Sequence, residues 1–128
     1  IFNYGNMSRD FTYIDDVTEC LFRICFKKAT KNEDFNYLHP EGATSFAPHR
    51  IFNIGKGKPT NLIEFINTLE YAFGKKAIRI MHPPQAGDVE STCADVQNLK
   101  NWIDFSPEIN IQIGIKKFAK WYISNYIN

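Results

Sequence analysis

The stretch Arg9-Asp10-Phe11-Thr12-Tyr13-Ile14-Asp15-Asp16-Val17 decides the fold, because it predicts a strand that runs directly into a helix. Aromatic and polar residues alternate over residues 10–13, at the period of two that a strand requires. Apolar residues then recur at the spacing of one helix face, at positions 14, 17, 21, 24 and 25. Asp15 or Asp16 occupies the predicted N-cap, and Glu19 stands where a capping box with Asp16 requires it.

The composition narrows the classes of partner. The chain has 128 residues, 44% of them hydrophobic, so it has enough apolar side chains for a buried core. Its 15 Lys and Arg residues and 14 Asp and Glu residues leave a net charge of +1. We therefore expect neither nucleic acid nor an anionic membrane as a partner. No apolar run approaches the roughly 20 residues that a membrane-spanning helix needs.

The cysteines and histidines predict no special chemistry. The three cysteines contain no C-x-x-C pair, which favours reduced thiols and a cytoplasmic location. The three histidines have no partners at metal-ligand spacing, so no metal site is expected. These residues are Cys20, Cys25, Cys93, His39, His49 and His82.

The order of predicted elements indicates an α/β piece. Two strands, at residues 1–5 and 9–13, are expected to form a hairpin, and a helix follows from about Asp16 to Ala29. An irregular loop is predicted over residues 30–49 and another over 83–88. The remaining elements are strands at 50–55 and 77–81, a helix between Asn61 and Gly74, a short helix at 95–102 and a last helix at 111–126. Because the strands are few, we expect this piece to complete a sheet that lies elsewhere.

Several residues have both a structural and a functional interpretation. Arg9 is either a surface cation, paired for instance with Asp10, or a clamp on a diphosphate, for which the guanidinium fork is suited. Asp88 either belongs to an ordinary Gly-Asp turn or accepts hydrogen bonds from ribose hydroxyls. Tyr4 either packs in the core or stacks on a nucleobase. The Gly55-x-Gly57 pair lacks the third glycine of a dinucleotide fingerprint and is assigned to a turn.

Four stretches of the chain together resemble a known family. In their order and spacing they look like the carboxyl-terminal part of bacterial UDP-glucuronate 4-epimerases, which are extended short-chain dehydrogenases/reductases. The resemblance spans essentially all 128 residues. The stretches are Asn3-Tyr4-Gly5 with residues 9–16, residues 47–55, residues 84–89 with 92–95, and residues 114–122.

The resemblance implies a nucleotide-sugar site in this chain. Arg9 would contact the diphosphate, Asp88 the ribose and Tyr4 the neighbourhood of the uracil. Gln85 stands where galactose-type epimerases place an arginine, so a second phosphate cation is missing here. The implied substrate-binding residues are therefore Tyr4, Arg9, Gln85 and Asp88. The implied reaction is an NAD-dependent inversion at sugar carbon 4 that interconverts UDP-glucuronate and UDP-galacturonate for surface polysaccharide synthesis.

The catalytic and cofactor motifs of that family are missing from this sequence. No G-x-x-G-x-x-G opens a βα unit, and the spacing of Tyr71 and Lys75 falls on the predicted helix that ends at Gly74. We therefore expect residues 1–128 to be the carboxyl-terminal nucleotide-sugar-binding portion, with the NAD-binding Rossmann domain upstream and absent. This fragment alone is expected to be inactive, with no catalytic residue and no cofactor-binding residue, whereas the full-length enzyme is expected to be a homodimer.

Two alternatives stay open from the sequence. A different sugar in the same fold would make the protein a UDP-N-acetylhexosamine 4-epimerase or a dTDP-sugar dehydratase. A non-catalytic nucleotide-binding module is the second alternative. The sequence upstream, around the missing Tyr-x-x-x-Lys pair, is expected to separate the different sugars, and a parent reading frame without an upstream Rossmann half would favour the module.

Overall fold

The computed structural model describes residues 1–126, in which four helices are joined by long irregular segments and one small sheet. The sheet consists of the two-residue strands β1 (Ser8–Arg9) and β2 (Thr60–Asn61). The helices are α1 (Ile14–Cys25), α2 (Leu62–Phe73), α3 (Gln97–Ile103) and α4 (Ile111–Tyr126). A single turn of 3₁₀ helix, Phe2–Gly5, precedes β1.

Strand β1 holds three distant parts of the chain together. It pairs antiparallel with β2, with Ser8 opposite Asn61 and Arg9 opposite Thr60. On its other side, the Ser8 N–H donates to the carbonyl of Glu90 at 2.8 Å. The predicted hairpin between residues 1–5 and 9–13 is therefore wrong, and of the predicted strand 9–13 only Arg9 belongs to a strand, because the chain leaves the pairing with β2 at Asp10. Which strands pair depends on the tertiary structure, and β1 pairs with β2, about fifty residues away, instead of with residues 1–5.

Helix α1 exists, but it spans Ile14–Cys25 instead of about Asp16 to Ala29, and its capping differs from the prediction. Its N-cap is Tyr13, which makes no side-chain capping bond, and Asp15 and Asp16 lie inside the first turn. The Asp16 carboxylate instead accepts from the Ile109 N–H at 2.8 Å, while Glu19 pairs with Arg23, four residues on, at 2.6 Å. The capping-box prediction is wrong because both carboxylates have other partners, one of them in a segment more than ninety residues away.

Helices α2 and α4 confirm the sequence prediction closely. The Asn61 side chain caps α2 by accepting from the Ile63 N–H at 2.8 Å, and Gly74 ends the helix with a left-handed φ of 63°. Helix α4 spans the predicted residues 111–126. The two helices pack through aromatic rings, with the centroids of Phe73 and Tyr122 5.7 Å apart.

The segment 50–55 keeps the burial pattern of a strand without being paired as one. Phe52 and Ile54 pack on the core of Cys20, Leu99 and Ile103, whereas Ile51 is 55% exposed. Apart from an isolated bridge between Arg50 and Thr44, the described residues offer this segment no strand partner. The strand predictions at 50–55 and 77–81 are therefore wrong for this structure, because a strand needs a neighbour as well as a suitable sequence.

The irregular segments follow the predictions. Residues 30–49 contain neither a helix nor a ladder strand, and residues 83–88 form an ordered loop, both as expected. Helix α3 begins at Gln97, two residues after the predicted cap. The predicted cap at Asp95 is wrong: the N-cap is Val96, which makes no side-chain capping bond, and the Asp95 carboxylate accepts from the Gln97 N–H at 3.1 Å from one residue further out.

A buried carboxylate at the end of α2 ties the helix to the segment that follows it. The Glu70 side chain is 3% exposed and pairs with Lys76 at 2.8 Å and with Arg79 at 2.7 Å. The Ala77 N–H also donates to it at 3.2 Å. Hydrogen bonds from Lys76, and then from Arg79, lower the pKa of Glu70 from 4.5 to about 2.

This depressed pKa predicts a pH-dependent contribution to stability. Because the folded state binds the Glu70 proton more weakly than the unfolded state, the contribution is complete above about pH 4.5 and fades as the pH falls toward 2. We expect Glu70→Gln to be less stable than the wild type at pH 7, and the gap to narrow below pH 4.5. Urea unfolding at several pH values measures the gap. Glu108→Gln, at an exposed position, is the control, and a gap that stays constant down to pH 3 contradicts the assignment.

Candidate functional site

Arg9 is held by protein groups on three sides. Its Nη1 donates to the carbonyls of Ser8 at 2.8 Å and Glu90 at 3.3 Å, and its Nη2 donates to Asp88 Oδ1 at 2.8 Å. The Arg9 and Asp88 side chains are 26% and 34% exposed, so the pair is accessible to a ligand. The structure brings together these two predicted residues, which lie 79 positions apart in the sequence. The alternative pairing of Arg9 with Asp10 is not formed, because the Asp10 carboxylate is bound elsewhere.

A tight turn presents Asp88 to Arg9. The Asp88 N–H donates to the Gln85 carbonyl at 3.1 Å, and Gly87 has a φ of 83°, as the third residue of a type II turn requires. A Cβ added at Gly87 would meet no atom within 4 Å. The glycine is therefore required by the backbone conformation of the turn, and no crowding accounts for it.

Gln85 and Asp88 share a small cavity of about 90 Å³. Its lining residues are Asn3, Met7, Pro84, Gln85, Asp88, Val89 and Glu90. Tyr4 does not line this cavity, and its side chain is 60% exposed. Three of the four predicted substrate-binding residues are thus brought together, whereas the tyrosine side chain stands apart. Asn3 and Met7 were missed, although both lie in the segment that precedes Arg9.

Asn3 and Tyr4 both lie in a left-handed turn. Both residues have positive φ angles, 48° and 51°, a conformation that is uncommon outside glycine. The turn is closed by the Asn6 N–H, which donates to the Asn3 carbonyl at 2.8 Å, and by the Asn3 amide, which donates to the Asn6 carbonyl at 2.9 Å. The predicted strand at residues 1–5 is wrong here, because its alternation is broken at this turn.

Asp10 is a structural anchor: its carboxylate binds the backbone of two loops next to the candidate site. Its Oδ1 accepts from the backbone N–H groups of Lys56 at 3.2 Å and Lys58 at 3.4 Å. Its Oδ2 accepts from Gly57 at 2.9 Å and Ala94 at 3.0 Å. Successive N–H groups of this kind form a concavity that binds anions. Here the anion is a side chain of the chain itself, which joins the segment after β1 to two distant loops.

The Gly55-x-Gly57 segment does not fit a cofactor pyrophosphate. The N–H groups of residues 56, 57 and 58, which would bind a phosphate, all donate to Asp10. The assignment of this glycine pair to a turn is confirmed. Tyr71 is 90% exposed, so its spacing to Lys75 does not place it in a cleft.

Residues 1–126 contain no group of three or more His, Cys, Asp or Glu side chains that could hold a metal ion. None of the helices in the same range combines the length and the apolar character needed to span a membrane.

Comparisons with known proteins connect this geometry to a family. The chain is 41% identical over 126 residues to the protein CapI of Staphylococcus aureus, covering 98% of this chain and 38% of that protein. It is 39% identical over 130 residues to a probable UDP-glucuronate 4-epimerase of Rhizobium meliloti, covering 98% of this chain and 37% of that protein. The chain thus spans less than two fifths of the length of these curated relatives. No family model matches it.

A solved structure shows the same fold. The UDP-glucuronic acid 4-epimerase of Bacillus cereus, in complex with UDP-glucuronic acid and NAD, superposes with a TM-score of 0.72. The two sequences are 23% identical, and the match covers 98% of this chain and 35% of that one. The likeness therefore establishes the fold.

The fold is that of a carboxyl-terminal part of the Rossmann-type, extended short-chain dehydrogenase/reductase epimerases. More particularly, the chain is homologous to a carboxyl-terminal part of the UDP-glucuronate 4-epimerases.

Proposed function

We propose that residues 1–128 are the carboxyl-terminal nucleotide-sugar-binding portion of an NAD-dependent UDP-sugar 4-epimerase, one that interconverts UDP-glucuronate and UDP-galacturonate. The observation that carries the proposal is the 39% identity, over nearly the whole chain, to a relative named as a probable UDP-glucuronate 4-epimerase. The full-length protein is then an isomerase.

The geometry supports a diphosphate as the group that this chain binds. Arg9 presents an accessible guanidinium, and charge-assisted bonds from guanidinium to phosphate are among the stronger hydrogen bonds in proteins. We propose that Asp88 binds the ribose and that Gln85, which lines the same cavity, also contacts the substrate. Tyr4 is assigned to the uracil neighbourhood, where an exposed ring is available for stacking.

The upstream NAD-binding domain is proposed as the partner of this piece. Helix α1 buries Cys20 on one side, yet Leu21 and Phe22 on the other are 50% and 62% exposed, and the C-cap residue Phe26 is 77% exposed. A helix with apolar residues on both sides is typical of the interior of a larger protein. The backbone groups of residues 52–54 also make no hydrogen bond within the described range. Unpaired N–H and C=O groups of this kind are expected at a sheet edge that pairs with a strand of another domain.

NAD is assigned to that other domain. The N–H groups of the glycine pair are engaged by Asp10, so this chain offers no pyrophosphate site there. A homodimeric full-length protein and a role in surface polysaccharide synthesis stay predictions from the resemblance, and a cytoplasmic location stays a prediction from the cysteines.

The test is turnover by the full-length protein that carries this chain. With NAD present, we expect UDP-glucuronate to be converted into UDP-galacturonate, measured by chromatography of the nucleotide sugars. UDP-glucose and UDP-N-acetylglucosamine are the comparison substrates. Turnover of one of these alone would replace the proposed sugar, and UDP binding without any turnover would favour a non-catalytic module. We expect the 128-residue chain alone to show neither turnover nor NAD binding by calorimetry.

A further inference from the structure

We propose that Asp88 is a positioning residue for Arg9: its Oδ1 fixes the guanidinium in the orientation that presents two free N–H donors to the diphosphate. The inference rests on the proposed function, because it concerns how the same site binds UDP. It gives Asp88 a second role, distinct from contact with the ribose.

The donors of Arg9 can be counted. A guanidinium has five N–H groups in one rigid plane. Both hydrogens of Nη1 are engaged, by the carbonyls of Ser8 and Glu90, and one hydrogen of Nη2 is engaged by Asp88. The Nε–H and the second Nη2 hydrogen have no partner among the described residues. Two donors on one plane are what a bidentate contact with a phosphate group requires.

The two kinds of partner contribute differently to this arrangement. The carbonyls of Ser8 and Glu90 belong to the backbone of the small sheet, so they limit where the Nη1 end can lie. Asp88 is the only side chain in residues 1–126 that bonds the Nη2 end. Without it the planar group can rotate about its long flexible stem, and a ligand must then order it on binding.

The turn explains why Asp88 is suited to this role. The bond from the Asp88 N–H to Gln85 and the left-handed Gly87 fix the backbone that carries the carboxylate. Asp88 Oδ2 makes no bond within the described residues, so it stays available to a ribose hydroxyl. One carboxylate can therefore orient the cation with one oxygen and contact the nucleoside with the other.

A double-mutant cycle in the full-length protein tests the coupling. UDP affinity is measured by calorimetry for the wild type, Asp88→Ala, Arg9→Ala and the double variant. We expect Asp88→Ala to weaken UDP binding by about tenfold when Arg9 is present, and by about threefold or less when Arg9 is already alanine. Uridine, which has no phosphate, is the second ligand and reports the ribose contact alone. For uridine, the effect of Asp88→Ala is expected to be the same in both backgrounds.

The outcomes separate this inference from the proposed function. If the wild type binds no UDP, the proposed function fails. If UDP binds but the two substitutions act independently, only the positioning role fails. Tighter UDP binding by Asp88→Asn would show that the carboxylate competes with the diphosphate for Arg9, and would also overturn the inference. Asp34→Ala, at an exposed position in the loop 30–49, is the matched control for loss of one negative charge.

Discussion

Replacing Asp10 with asparagine is expected to lower the free energy of unfolding by about 3 kcal/mol, because several backbone donors lose a charged acceptor. Each carboxylate oxygen accepts from two N–H groups, Oδ1 from Lys56 and Lys58, and Oδ2 from Gly57 and Ala94. Asparagine keeps the shape, but whichever way its amide is turned, its NH₂ group meets two N–H donors. Since domains of this size are stable by only about 5–15 kcal/mol, the loss is large.

Chemical denaturation of the chain measures this effect against Asp34→Asn, whose exposed carboxylate makes no bond among the described residues.

A second pair of variants tests the close packing of Gly55 against Asp10. A Cβ at Gly55 would lie 2.5 Å from Ala94 Cβ and 2.8 Å from Asp10 Oδ2, whereas one at Gly42 would meet no atom within 4 Å. We expect Gly55→Ala to destabilise the fold and Gly42→Ala to leave it unchanged. Equal stability of Asp10→Asn and Asp34→Asn would remove the anchor role.

Replacing Arg9 with alanine in the full-length protein is expected to weaken UDP binding by roughly tenfold to a hundredfold. Loss of a charge-assisted hydrogen bond typically costs about 1.5–3 kcal/mol, which corresponds to that range of affinity. Arg9→Lys is also expected to lose affinity, because an ammonium supplies charge without the planar fork. Because Gln85 supplies no second cation, we expect the proposed phosphate contact to depend strongly on this one side chain.

The readout must separate binding from folding, because Arg9 also bonds the Ser8 and Glu90 carbonyls. UDP affinity is therefore measured by calorimetry beside the melting temperature for each variant. Lys100→Ala, which removes an exposed cation from α3, is the control for net charge. Unchanged UDP affinity in Arg9→Ala, with the melting temperature preserved, would return Arg9 to a purely structural role.

Three of the predicted substrate-binding residues lie near one another in the fold. Residue types and the resemblance predict Arg9, Gln85 and Asp88, and the structure pairs Arg9 with Asp88 and places Asp88 and Gln85 in one cavity. Their mutual geometry was not predictable, because the ion pair joins positions 79 apart through a turn whose orientation depends on the sheet. Asp10 was overlooked for a related reason: its four donors come from two loops, and no local pattern around it indicates them.

The sequence by itself determined the elements whose causes are local. The cap at Asn61, the left-handed glycine at Gly74 and the amphipathic helix 111–126 depend on neighbours within one or two turns, and each was predicted correctly. Only the tertiary structure decided which strand pairs with β1, which carboxylate binds Arg9 and where Asp10 finds its donors. Each of these contacts joins segments that lie far apart in the chain, and its free energy depends on the other contacts that form together with it.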